Sequence, residues 1–84
     1  MGELDLTRLT HVEVAALWPQ RERIFAHNEV DLAPNQVVDS AGIAFLVQWA
    51  KHSQEKKLTL HHASHNVRSL ITTFHLEPLF VCVD

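Results

Sequence analysis

Apolar positions along this 84-residue chain recur with a period that switches between two and about 3.6, and each switch marks a change of element. Leu4-Asp5-Leu6-Thr7-Arg8-Leu9 alternates apolar and polar, which predicts a half-buried strand. Thr10, with Glu13 three residues on, forms a capping-box pattern and opens a helix carried by Val12, Leu17, Ile24 and Phe25. Pro19 interrupts that stretch. It predicts a short helical turn followed by a second segment with Pro19 in its first turn, ending near Asn28. Val30-Asp31-Leu32-Ala33 is a short strand, Pro34-Asn35 starts a loop, and Val37-Val38 leads into a second helix over 41–52. The polar turn 53–57 precedes the alternating strand Leu58-Thr59-Leu60-His61-His62. Ser64 is a good cap for the helical stripe Val67, Leu70, Ile71 and Phe74, and Leu79-Phe80-Val81-Cys82-Val83 reads as a last strand.

The predicted order is β-α-β-α-β-α-β in one domain spanning 1–84. Short connections and right-handed crossovers imply an α/β fold. We expect a single layer of about four mostly parallel strands, with helices largely on one face.

The joint Val37-Val38-Asp39-Ser40-Ala41-Gly42-Ile43 carries the most information. Ser40 is placed where a helix start presents backbone N–H groups and the positive end of the dipole. It can cap the helix, accept a phosphate, or be touched by a partner. Gly42 lets another backbone or a partner approach closely. On the helical wheel, Ile43, Leu46, Val47 and Ala50 share the face expected to pack on the sheet. Ala41, Phe45, Gln48 and His52 point away, with Trp49 beside them. Phe45 and Trp49 are four apart and adjacent on the helix surface. A helix covering a small sheet does not need a second aromatic face, so these two are expected to be partly exposed and to form a partner surface with Ser40. The competing expectation is that they pack against a neighbouring helix, on Leu70 or Phe74.

Composition narrows the functional classes. Hydrophobic residues make up 46% of the chain, which suits a packed globule. A net charge of −3 gives no overall electrostatic case for nucleic acid or an anionic membrane. The single cysteine, Cys82, excludes an internal disulfide and points to a reducing, cytoplasmic setting. Ser40 is a poor nucleophile candidate, because Val38 stands where a nucleophile elbow needs glycine. Nucleotide binding at the same helix start has no Gly-rich loop behind it, and Asp39 would repel phosphate. His61, His62 and His65 cluster in sequence, but successive strand residues face opposite ways, so we assign no metal and no cofactor and read them as surface histidines. Trp18 is read as core.

Asp39-Ser40-Ala41-Gly42-Ile43 resembles the Asp-Ser/Thr-X-Gly-Leu/Ile motif of the STAS domains, which include the anti-anti-sigma factors. Val30-Asp31-Leu32-Ala33 resembles that family's strand ending in Asp-Leu-Ser. The likeness covers about Leu6 to Phe80. Leu17-Trp18-Pro19-Gln20-Arg21-Glu22, Asn66-Val67-Arg68-Ser69-Leu70 and His75-Leu76 are similar to the STAS subunits of bacterial Mla phospholipid-transport ABC complexes. Gly2-Glu3-Leu4-Asp5 looks like the family's Gly-Glu-Leu-Asp but lies too far from Asp39, and Thr10 falls at the better spacing. In that register the family's first strand and last helix have no counterpart in 1–84.

The resemblance implies a non-enzymatic accessory subunit that binds the cytoplasmic ABC-type ATPase and reaches the inner membrane only through it. The implied partner surface is Asp39, Ser40, Ala41 and Gly42, to which the wheel adds Phe45 and Trp49. The alternative is an anti-anti-sigma-like regulator, switched by phosphorylation of Ser40, whose partner is an anti-sigma factor kinase.

Overall fold

The computed structural model describes residues 6–53 and 56–83. The Gly2-Glu3-Leu4-Asp5 motif and the start of the first predicted strand lie outside them. Strand β1 is Arg8–Leu9, β2 is Glu29–Asp31, β3 is Val37–Val38, β4 is Leu58–His61 and β5 is Phe80–Val83. Helices α1 (His11–Leu17) and α2 (Arg21–Ile24) lie between β1 and β2, α3 (Ser40–His52) between β3 and β4, and α4 (His65–Thr73) between β4 and β5. The fold is α/β, and every strand pairing among the described residues is parallel.

The strands form two sheets rather than the expected single one. β1 pairs with β3, Leu9 opposite Val38, and β2, β4 and β5 form a three-stranded sheet in the order β2-β4-β5. The additional strand is β3. Its two residues were expected only to lead into the helix, and they gain a strand partner from β1, 29 positions earlier in register.

Local chemistry accounts for the helix ends. At α1 the Thr10 side chain accepts from the Val12 N–H, and the Glu13 carboxylate returns to the Thr10 N–H at 3.0 Å, which completes the capping box. Pro19 sits at the start of a 3₁₀ turn, Trp18–Gln20, which breaks α1 from α2 as its missing N–H requires. Ser64 caps α4 by accepting from the Val67 N–H at 3.2 Å, a contact worth about 1 kcal/mol. The C-terminus of α4 closes as a Schellman motif. His75 takes a φ of 58°, its N–H donates to Thr72 O at 3.1 Å, and the Leu76 N–H donates to Ile71 O at 2.8 Å.

Alternation in the three-stranded sheet separates its faces. Val30, Leu58, Leu60 and Phe80 are buried on one side. Glu29, Asp31, Thr59 and His61 share the other, half-buried or exposed. Helix α3 occupies the centre of the molecule and touches α1, α4, β1, β3 and β4. No helix among the described residues is long and apolar enough to cross a membrane.

Candidate partner-binding site

The joint between β3 and α3 is built by Asp39 and Gly42. Asp39, not Ser40, is the helix cap: its Oδ1 accepts the Gly42 N–H at 3.0 Å. The second oxygen of the same carboxylate accepts the His11 N–H at 3.1 Å, the first amide of α1. The carboxyl is therefore held below the usual aspartate range, first by the Gly42 N–H and then by His11. An ionised acceptor binds backbone donors better than a neutral one, and it faces the positive end of the α3 dipole.

Gly42 is where the helix touches the strand pair. A Cβ built on it would lie 2.1 Å from Leu9 O and 2.9 Å from both Leu9 Cβ and Val38 Cγ2. The close approach expected of this glycine is thus an approach of the protein's own β1. The glycine is buried and offers nothing to a partner.

Ser40 is left exposed at the first position of α3, and its hydroxyl makes no hydrogen bond among the described residues. With the cap supplied by Asp39, the Ser40 hydroxyl has no structural task there. Ala41 beside it is half-buried.

Phe45 and Trp49 correct the sequence reading. They are 1% and 2% exposed, so neither forms a surface. The expectation failed because their cover comes from 18–27, far away in the chain. Phe25 packs on both rings, at 5.5 Å from Phe45 and 6.1 Å from Trp49, and Trp18 meets Phe45 edge-on at 6.4 Å. The Trp49 indole N–H donates to His27 O at 2.8 Å, which satisfies its one polar atom in the core. Their aromatic partners are thus Trp18 and Phe25, at the two ends of the segment 18–25, and not Phe74. Trp18 moves the other way: expected in the core, it is 39% exposed.

The apolar surface that begins at Ser40 runs along the opposite flank of α3. Ser40, Ala44, Val47, Gln48, Phe74 and Leu76 line a shallow groove of about 290 Å³ between α3 and the end of α4. Phe74 is 50% exposed, and the left-handed turn at His75 is what brings Leu76 back beside it. Val47, expected on the sheet-packed face, is only half-buried and lies in this groove. The sequence places Phe74 on the helical stripe Val67-Leu70-Ile71-Phe74, of which Val67 and Ile71 are buried and Phe74 is not.

The histidines pair with acids across strands. His61 Nε2 meets Glu29 Oε1 at 2.9 Å and His62 Nδ1 meets Asp31 Oδ1 at 3.1 Å. Asp31 lies below its usual range, chiefly through the Ala33 N–H and then His62. No group of three or more candidate metal ligands occurs among the described residues.

Comparison with protein-family models, with curated proteins and with solved structures finds no match to this chain.

Proposed function

We propose that this chain is a non-enzymatic, STAS-type binding module whose partner is the ATPase subunit of a phospholipid-transport ABC complex. The reading rests on the resemblance of Asp39-Ser40-Ala41-Gly42-Ile43 and Trp18-Pro19-Gln20-Arg21 to that family. One observation carries the site: the Ser40 hydroxyl is exposed and unbonded at the head of an apolar groove, while Asp39 does the capping. The docking surface is then Asp39, Ser40 and Ala41 continued by Ala44, Val47, Phe74 and Leu76. Gly42 seats α3 on β1 beneath Ser40, and Phe45 and Trp49 fix the opposite flank of the helix in the core. A half-exposed phenylalanine beside a groove is the kind of anchor that dominates binding energy.

A second reading keeps the same surface and changes the partner. A free serine hydroxyl at a helix start is open to a kinase, so an anti-anti-sigma-like role with Ser40 phosphorylated is the alternative. In either case a phosphate would add a charge of roughly −1.5 to −2 beside Asp39. The free domain tolerates this better than a complex that buries it without a counter-charge.

The test is calorimetric titration of the purified ATPase subunit of an Mla-type transporter, and separately of an anti-sigma kinase, into wild type and three variants. The transporter reading expects binding of the ATPase alone. It expects Ser40→Glu and Phe74→Ala each to weaken binding at least about tenfold, and Ser40→Ala to be much milder. Binding of the kinase alone selects the alternative. Undiminished affinity of both Ser40→Glu and Phe74→Ala removes this face from the interface.

A further inference from the structure

At the far end of α3 from Ser40 the surface has a different chemistry. Trp18, Arg21, Glu22, Phe25, Gln48 and His52 surround an open cleft of about 540 Å³ between α2 and the last turns of α3. Its aromatic wall is continuous with the core. Trp18 sets its edge against Phe25 at 6.3 Å, and the His52 ring stacks on Phe25 at 5.4 Å. The Arg21 guanidinium lies 4.7 Å above the Trp18 ring, held by a hydrogen bond from Nη1 to Trp18 O at 3.0 Å. The 3₁₀ turn with Pro19 in it sets this three-residue spacing, so the stacked pair is ordered before any ligand arrives.

Charge is concentrated at the same end. Arg21, Arg23, Lys51, Lys56 and Lys57 are five of the chain's seven Lys and Arg residues, against Glu22 and Glu55 in the same two segments. The Phe25–His52 stack and the Trp49–His27 hydrogen bond hold those segments side by side. Among the described residues none of these five cations is in an ion pair. A chain that is acidic overall thus carries most of its cations in the two segments that flank a concave aromatic cleft, whose own lining holds Arg21 and Glu22. Arg and Trp are also the side chains over-represented where interfaces concentrate their energy.

We infer that this cleft is a second docking site, and that its occupant is an acidic segment of a partner protein carrying one apolar anchor side chain. Carboxylates of the segment meet Arg21 and the lysines at the rim, and the anchor fills the cleft against Trp18, Phe25 and His52. The concavity favours an inserted side chain over a flat bilayer surface, and the unpaired cations favour carboxylates over a basic or neutral segment. The site shares no lining residue with the Ser40 groove except Gln48. It does not rest on the function proposed above.

The probe is a short glutamate-rich peptide with one central phenylalanine. The readouts are calorimetry and tryptophan fluorescence, in which Trp18 reports the cleft because Trp49 is buried. Saturable binding is expected, at least about fivefold weaker for the glutamine version of the peptide and for the version with alanine in place of phenylalanine. Arg21→Gln should weaken it by a similar factor with an unchanged circular dichroism spectrum. Glu22→Gln should strengthen it, and Ser40→Glu should leave it unchanged. Equal affinity for the acidic and glutamine peptides overturns the proposal, as does the absence of binding to the folded wild type. Binding only to vesicles containing anionic phospholipid also overturns it and assigns the basic end to a membrane surface.

Discussion

Replacing Gly42 with alanine should destabilise the domain, although alanine is the better helix former. The helix term favours the variant by at most about 1 kcal/mol. Against it stands contact with the strand pair. The new Cβ would lie 2.1 Å from Leu9 O, where a carbon–oxygen contact normally sits at about 3.3 Å or more. The obstacle is backbone, so no side-chain rotation relieves it. Helix α3 must withdraw from β1 by about 1 Å, which loosens Ile43 and Leu46 over Leu9 and Val38. It also strains the hydrogen bond from the Asp39 N–H to Leu9 O, now 3.2 Å and worth about 1 kcal/mol. Overpacking of this kind costs about 1–3 kcal/mol. The balance is a loss of about 1–3 kcal/mol, against a total stability of about 4–13 kcal/mol for a chain of this length. For a domain of this size the midpoint should fall by roughly 4–24 °C. Thermal and urea denaturation followed by circular dichroism measure it. Ala44→Gly, on the exposed side of the same helix, gives the scale of the propensity term alone. A Gly42→Ala variant that melts at or above wild type would refute the argument that this glycine exists to admit Leu9.

Phe45→Ala and Trp49→Ala should each cost about 3–5 kcal/mol, and the double variant should not fold. Loss of the near-ultraviolet circular dichroism signal would check this, and a folded double variant would return both rings to the surface. Stability should also fall in acid. Asp39, Asp31 and Glu13 all have carboxyls held below their ordinary values, by the Gly42 N–H, the Ala33 N–H and Thr10 respectively. A depressed folded value means the contribution is complete above the unfolded value of about 4 and disappears as pH falls through the folded one. Urea midpoints measured from neutral pH downward should therefore decline below about pH 4, and Asp39→Asn, still able to cap, should flatten part of that decline. An identical acid limb in the two proteins would exclude Asp39 as a contributor.

The features legible in the sequence are those set by neighbours within a turn. Thr10 with Glu13, Ser64 with Val67 and the break at Pro19 are local chemistry, and they fall where the pattern put them. The strands at 58–61 and 80–83 announce themselves by alternation and by an apolar, β-prone run respectively. What was not legible depends on residues distant in sequence. Val37–Val38 is too short to signal a strand, and becomes one only because β1 lies beside it. A wheel drawn for α3 alone identifies two apolar flanks but cannot say which one 18–27 will cover. It buried Val47 and exposed Phe45 and Trp49, and the fold does nearly the reverse. Ser40 was recognised as the interesting residue, but its role as cap belongs to Asp39, whose side chain serves two helix starts that no local pattern connects.

That shared carboxylate ties the start of α3 to the start of α1, 28 positions earlier in the chain. The first amide of α1 and the third residue of α3 both donate to Asp39, so fraying at one helix start removes an acceptor geometry that the other depends on. Amide hydrogens of His11 and Gly42 are therefore members of one opening unit rather than two, and should exchange with solvent together. Anything that pulls on Asp39 from outside, such as a ligand seated at Ser40, also loosens or tightens α1. The first helix becomes a reporter of what happens at the head of the third.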